Sequence, residues 1–213
     1  MSQAPGRPKG DSDARVRLIH AARQLFSQRS FQGVSTREIA REAEVDAAMI
    51  RYYFGSKSGL FEHMVRETMA PVLARFRQLS EADTPGDLAT LMRVYYQAIG
   101  AHPGLPRLVL RVLREDEGSE PYRILLSIFQ EVIQLSRRWV TQALVDSGLL
   151  RDGVDPNLAR LSLVSLMVFP LLAPPVLVGQ LGVTLNPEGL MALIPHHIKV
   201  LQQGILQPVE KSE

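Results

Sequence analysis

Apolar residues along this chain recur every three or four positions, the spacing of a helix with one buried side. In the first such run Ile19, Ala22 and Phe26 share a face, with Leu18 and Leu25 beside them. A second run carries Ile124, Ile128, Val132, Leu135, Trp139 and Ala143, while Gln130, Gln134, Arg137 and Arg138 face elsewhere. Near the C-terminus Leu190, Ile194, His197 and Leu201 form a stripe opposite Lys199 and Gln203. Alternating β-branched runs and Asn-Gly or Asp-Gly hairpin turns do not occur, so the chain reads as all-α. Proline and glycine punctuate it near 32–33, 55–56, 84–86, 102–104, 118–121, 148–156 and 181–187. These breaks predict about nine helices, with 1–12 and 208–213 as tails.

The segment Val34–Phe54, VSTREIAREAEVDAAMIRYYF, holds two short helices and almost no loop. Ser35 followed by Glu38 is a capping box, each side chain accepting a backbone N–H at the helix start. Ile39, Ala40 and Ala43 supply the apolar face of the first helix; Ile50, Tyr53 and Phe54 supply that of the second, with Asp46 placed to cap it. Only Glu44 and Val45 are left between them, so the helices turn sharply onto each other, and small Ala40 lets them approach. That is a helix-turn-helix pattern.

Composition sharpens this picture without changing it. The 213 residues are 46% hydrophobic and 22% charged, as in an ordinary globular protein. With no cysteine, disulfides, thiolate metal sites and cysteine nucleophiles are excluded. The net charge of +2 hides an asymmetry: ten Lys or Arg against six Asp or Glu up to residue 60, and fourteen against sixteen beyond. A basic end on a mildly acidic body suits a polyanionic partner at one end only. MSQAPGRPKGDSD lacks the apolar core of a signal peptide, which points to a cytoplasmic protein. From Leu161 to Pro187 there are 27 residues without a charge, long enough to span a bilayer. Pro170, Pro174 and Pro175 would interrupt such a span, and helices buried in a core or interface give the same signal; no membrane partner is expected.

Residues 15–64 resemble the TetR family of bacterial regulators. The resemblance is carried by an amphipathic helix ending in ARQLFSQRSF, by Gly33–Val34–Ser35–Thr36 leading into EIAREAEV, and by MIRYYFGSKSGLF. It implies an N-terminal three-helix DNA-binding domain at 13–60 and a larger helical ligand-binding and dimerisation domain at 61–207. The expected function is a homodimeric repressor released from a palindromic operator by a small-molecule inducer. Three positions depart from the family pattern. Tyr53 replaces a common histidine and Arg51 a common tyrosine, which bears on what is read. Glu44 stands where glycine is usual in the tight turn; a left-handed non-glycine residue costs about 1–2 kcal/mol, so the turn is expected to be built differently.

In the major groove the second helix would present Asp46, Ala47, Ala48, Met49, Arg51 and Tyr52. Arg51 is the one cation among them, able to bond both acceptors of a guanine edge; a phosphate contact or a surface ion pair is the alternative. Ala47 and Ala48 can sit against thymine methyls, and Arg37 is the next candidate for a base or a phosphate. The resemblance implies phosphate contacts from Ser35, Thr36, Tyr52, Tyr53 and Lys57, with a core role the alternative for Tyr53. Arg7 and Lys9, in Pro5–Lys9, read either as a minor-groove arm or as a plain basic tail. One short reading helix offers few base contacts, so a two-fold dimer on double-stranded DNA is expected. Its favoured surface is Leu161–Gln180 with Pro187–Gln202.

For an inducer pocket the candidates are Met69, Phe76, Tyr95, Tyr96, Leu110, Phe129, Val132, Trp139, Met167 and Phe169, large apolar groups with a few polar tips. Ordinary core packing gives each the same appearance. Their character suggests a hydrophobic or amphipathic effector. His20, His63, His102, His196 and His197 are scattered, and adjacent histidines on a helix diverge by about 100°, so no metal site is expected. No P-loop, nucleophile elbow or dinucleotide fingerprint occurs, so neither a cofactor nor an enzymatic activity is expected. Two other classes remain at this stage: a membrane-attached helical protein, and a small-molecule-binding α-domain without operator binding.

Overall fold

A computed structural model describes residues 9–81, 88–102, 104–114 and 117–205. Within them the chain forms ten α-helices: α1 (Lys9–Gln28), α2 (Thr36–Glu42), α3 (Ala48–Phe54), α4 (Lys57–Glu81), α5 (Leu88–Gly100), α6 (Gly104–Arg114), α7 (Glu120–Val140), α8 (Pro156–Leu172), α9 (Pro175–Gln180) and α10 (Pro187–Gly204). A π-helical turn, Thr141–Asp146, extends α7. The all-α class is as expected, with one helix more than the punctuation predicted. The addition comes from the Pro174–Pro175 pair: Pro175 cannot continue α8 but is preorganised to open α9.

Local chemistry explains the helix starts in this half of the chain. Pro156, Pro175 and Pro187 each occupy the first turn, where a missing N–H costs nothing. The Asp155 carboxylate accepts from the N–H groups of Asn157 and Leu158, and the Asn186 side chain accepts from Gly189 N–H. Pro170 lies inside α8 and does not end it. Among the described residues, no helix is long and apolar enough to cross a membrane.

The chain divides into two compact units, one comprising the segment to Glu67 together with Arg107–Leu126, the other Thr68–Pro106 together with the chain from Ser127. The sequence placed a boundary near residue 60, which lies within the unbroken helix α4. In the first unit Leu18, Ala22 and Phe26 of α1 are buried, as are Ile39 and Ala40 of α2, Ile50 of α3, and Leu60, Phe61 and Met64 of α4. Phe26, Phe31 and Phe61 meet as a ring cluster with centroids 5.4–5.6 Å apart. In the second unit α5 packs on α10 and α8, burying Leu91, Met92 and Tyr96. The stripe Leu190, Ile194, His197 and Leu201 is buried throughout, as its spacing required. Along α7 Ile128 and Trp139 of the predicted stripe are buried and Ile124, Val132 and Leu135 are half-buried, while Leu125 and Ser136 beside them widen the buried side.

Candidate nucleic-acid interface

The first helix of the reading pair starts on the predicted capping box. Glu38 N–H donates to Ser35 Oγ at 3.2 Å, and Ser35 N–H donates to Glu38 Oε2 at 2.8 Å. Arg29 Nη1 reaches the same carboxylate at 2.8 Å, and its Nη2 donates to the Gly33 carbonyl. Those bonds, the arginine's first, hold the Glu38 carboxyl down at about 2. Arg29 thus ties the end of α1 to the start of α2. It was not singled out from sequence, because nothing local distinguishes it from other surface arginines.

Between the helices the expectation about Glu44 is overturned. Val45 N–H bonds to the Ala40 carbonyl at 3.0 Å and Glu44 N–H to the Arg41 carbonyl at 3.2 Å, the paired bonds of a Schellman turn. Glu44 occupies the position where glycine is preferred and takes φ = +53°. The turn keeps its usual construction, and the side chain is forced into the left-handed region to do so. The connection is Ala43–Ala47, somewhat longer than the two residues expected. Asp46 acts as foreseen: its carboxylate accepts from Ala48 N–H at 2.7 Å.

On α3, Ile50 and Phe54 face inward, while Ala47, Ala48, Arg51 and Tyr52 are exposed and Met49 is half-buried. Tyr52 is 66% exposed and stands edge-on to Tyr53 at 4.8 Å. Tyr53 is half-buried, between the two readings offered for it. On α2, Arg37 is exposed and Thr36 half-buried. Ser35 is exposed, but its hydroxyl is engaged with Glu38 at 2.8 Å. The helix pair therefore brings Ser35, Thr36, Arg37 and the outer side of α3 into one small unit. Arg7 lies outside the described residues, and Lys9 opens α1 with its side chain outside them.

Lys57 departs most from its expected place. Its Nζ donates to the carbonyls of Phe31 at 2.9 Å and Val34 at 3.0 Å, and lies 4.2 Å from the centre of the Phe31 ring. Burial pulls its pKa below the ordinary lysine value. Two of its three N–H donors are spent inside the protein, closing the α1–α2 connection against α4. Gly59, two residues on, was also missed. A Cβ there would lie 2.0 Å from the Phe54 carbonyl oxygen, so the first turn of α4 passes the end of α3 too closely for any side chain. The signal was present in GSKSGLF as a glycine inside a helix, where it is otherwise unfavourable.

In the second unit, the pocket candidates separate into three groups. Met69, Phe76, Tyr96, Trp139 and Met167 are buried, and Tyr95, Phe129 and Val132 are half-buried. Phe169 is 66% exposed, and Leu110 is exposed and belongs to the first unit, so neither lines an interior with the others. The Tyr96 hydroxyl donates to the Leu166 carbonyl at 3.2 Å and lies 3.4 Å from His197 Nδ1. Burial pushes the Tyr96 phenol up to about 12, and raises Tyr95 as well, with the Tyr96 hydroxyl adding to it; both stay neutral. The Trp139 indole N–H is buried with no acceptor among the described residues. Among the described residues, no group of three His, Asp or Glu is placed to hold a metal ion.

Comparison with known proteins agrees with this geometry. Residues 18–64 match the family described as bacterial regulatory proteins, tetR family. The chain is similar to the probable HTH-type transcriptional regulator YttP of Bacillus subtilis, 30% identical over 165 residues that make up 74% of this chain and 77% of that protein. It is also similar to the HTH-type transcriptional repressor KstR2 of Rhodococcus jostii, 25% identical over 154 residues, 70% and 74% of the two chains. In fold it resembles NalD, the secondary repressor of the MexAB-OprM multidrug efflux pump in Pseudomonas aeruginosa, with TM-score 0.68 and 20% identity over 93% of this chain and 99% of that one. FadR of Bacillus subtilis, solved with stearoyl-CoA, gives TM-score 0.67 and 19% identity over 89% and 98%.

Proposed function

The chain belongs to the TetR family of bacterial regulatory proteins, and from that premise we propose that it is a homodimeric, cytoplasmic repressor released from a palindromic operator by a small apolar or amphipathic effector. That it is a helix-turn-helix transcriptional regulator and not an enzyme follows from the family itself. The observation that carries operator reading is the α2–α3 pair: the inner side of α3 is anchored by Ile50 and Phe54, while Arg51 and Tyr52 stand in solvent. We assign Arg51 to a base edge, Tyr52 with Thr36 and Arg37 to phosphates, and Ala47, Ala48 and Met49 to apolar contact with the groove.

Dimerisation is supported by α8. One side, Ala159, Leu163, Met167 and Leu171, is buried within its own unit, while Leu158, Leu161, Val164 and Phe169 are exposed on the rest of the helix. A helix apolar on both sides calls for a second covering surface. An apolar effector is supported by the buried Met69, Phe76, Met167 and Trp139, whose indole N–H, without an acceptor among the described residues, offers a donor to a ligand. FadR of Bacillus subtilis, a protein of the same fold, is solved in complex with stearoyl-CoA, an amphipathic molecule of that kind. Such a ligand releases DNA only by binding the non-reading conformation more tightly.

The test is selection of bound sites from random duplexes with the wild type and with Arg51→Ala. The wild type should enrich a palindrome and the variant a palindrome altered at symmetric positions. An unchanged motif refutes the role of Arg51, and no motif from the wild type refutes operator reading altogether.

A further inference from the structure

Two apolar features of the second unit stand open among the described residues. The first is α9 and its flank. Val176 is 69% exposed, Leu177 55% and Leu181 79%, while Val178 alone of the helix is buried. Among the described residues, α9 packs extensively on no other helix. The second is a groove of about 500 Å³ between α5 and α10, lined by Ala89, Arg93, Met191, Ile194, Pro195 and Ile198. It is apolar except for Arg93, whose guanidinium makes a 3.5 Å contact with the Thr90 hydroxyl.

We propose that these two surfaces belong together across the dimer: α9 of one copy seats Leu177 and Leu181 in the α5–α10 groove of the other. The inference rests on the dimer proposed above and says which additional surface closes it. A second copy of this chain fits better than an acidic or nucleic-acid partner or a charged lipid surface, because residues 161–187 carry no charge at all. The projecting side chains follow directly from the exposed residues of α8, so an arm contact continues the same apolar surface. Exchange is reciprocal under two-fold symmetry: each copy donates one arm and offers one groove, so nothing is left to propagate into a filament. The exposed apolar residues of the arm add to those of α8, and large exposed apolar area is what marks an interface. Arm exchange also ties dimerisation to α5, whose Tyr96 meets α8 and α10 at the Leu166 carbonyl and His197.

The absence of native cysteine makes the test clean. Leu181→Cys and Ala89→Cys are made as separate full-length proteins, mixed, and treated with a short bismaleimide; sedimentation equilibrium of the wild type is measured alongside. A covalent dimer that forms in the mixture and not in either variant alone supports the exchange. If the wild type sediments as a dimer and the mixture does not link, the arm is elsewhere and this proposal fails while the dimer stands. If a third protein carrying both Leu181→Cys and Ala89→Cys links only within one chain, the arm folds back on its own groove and the proposal fails. If the wild type is a monomer, both readings fail. As an independent readout, Leu177→Asp with Leu181→Asp should keep the wild-type circular dichroism, since both sites are exposed, and weaken dimerisation by at least about tenfold. An unchanged dimer dissociation constant overturns the proposal.

Discussion

Lys57→Met distinguishes a lysine that holds DNA from one that holds the DNA-binding unit together. Methionine keeps an apolar stem of similar reach but removes the ammonium from the Phe31 and Val34 carbonyls, 2.9 and 3.0 Å away, and from the Phe31 ring at 4.2 Å. A hydrogen bond of this kind is worth about 1 kcal/mol net, discounted here because the half-buried site lets water reach the freed carbonyls. The cation–ring contact adds roughly 0.5–1 kcal/mol. The expected loss is about 2–3 kcal/mol, which at about 2–4 °C per kcal/mol lowers Tm by roughly 4–12 °C. Circular dichroism melts measure that shift, and fluorescence anisotropy on an operator duplex at several salt concentrations measures the other limb. With Lys57 turned inward, the slope of log Kd against log salt stays that of the wild type. A lysine on a phosphate gives the reverse: Tm unchanged to about 1 °C and a slope smaller by about 0.9. That second outcome refutes the structural role.

Three further predictions follow from the same unit. Glu44→Gly removes a left-handed non-glycine residue from the Schellman turn, and the strain relieved exceeds the entropy that glycine costs, so melts should show a gain of up to about 1 kcal/mol. A loss of stability there means the Glu44 side chain contributes more than its backbone costs. Gly59→Ala drives a Cβ to 2.0 Å from the Phe54 carbonyl oxygen, so α3 must move, and operator affinity should fall at least about tenfold even where the protein remains folded by circular dichroism. Wild-type affinity would show that the α3–α4 junction does not set the reading helix. Glu38 ionises at about 2 in the folded chain against an ordinary 4.5, so its stabilisation is complete above 4.5 and is lost as pH falls toward 2. Chemical denaturation across that range should be less pH-dependent in Glu38→Gln, and parallel curves count against the Arg29–Glu38–Ser35 arrangement.

What was readable in advance had a local cause. The capping box needs only Ser35 and Glu38 three residues apart, and both bonds are present. The stripe on α10 is buried at every predicted position because helical geometry fixes which side chains share a face. The helix-turn-helix was legible for the same reason: its two helices are adjacent in sequence and each carries its own apolar side.

Sequence by itself therefore determined the helical class, the capping box that starts α2 and the outward side of α3, all properties of residues within a turn or two of each other. Only the tertiary structure decided where the cations go. Lys57 was expected on a phosphate and Arg29 was equivalent to any other surface charge until the chain brought Phe31, Val34 and Gly33 to them. It likewise showed Phe169 exposed while Met167 is buried, because which side of an uncharged helix meets its own core depends on packing. Glu44 makes the same point from the other direction. Its intrinsic preference argues against φ = +53°, and the bonds and burial of the surrounding helices outweigh the 1–2 kcal/mol, roughly, that one strained residue costs.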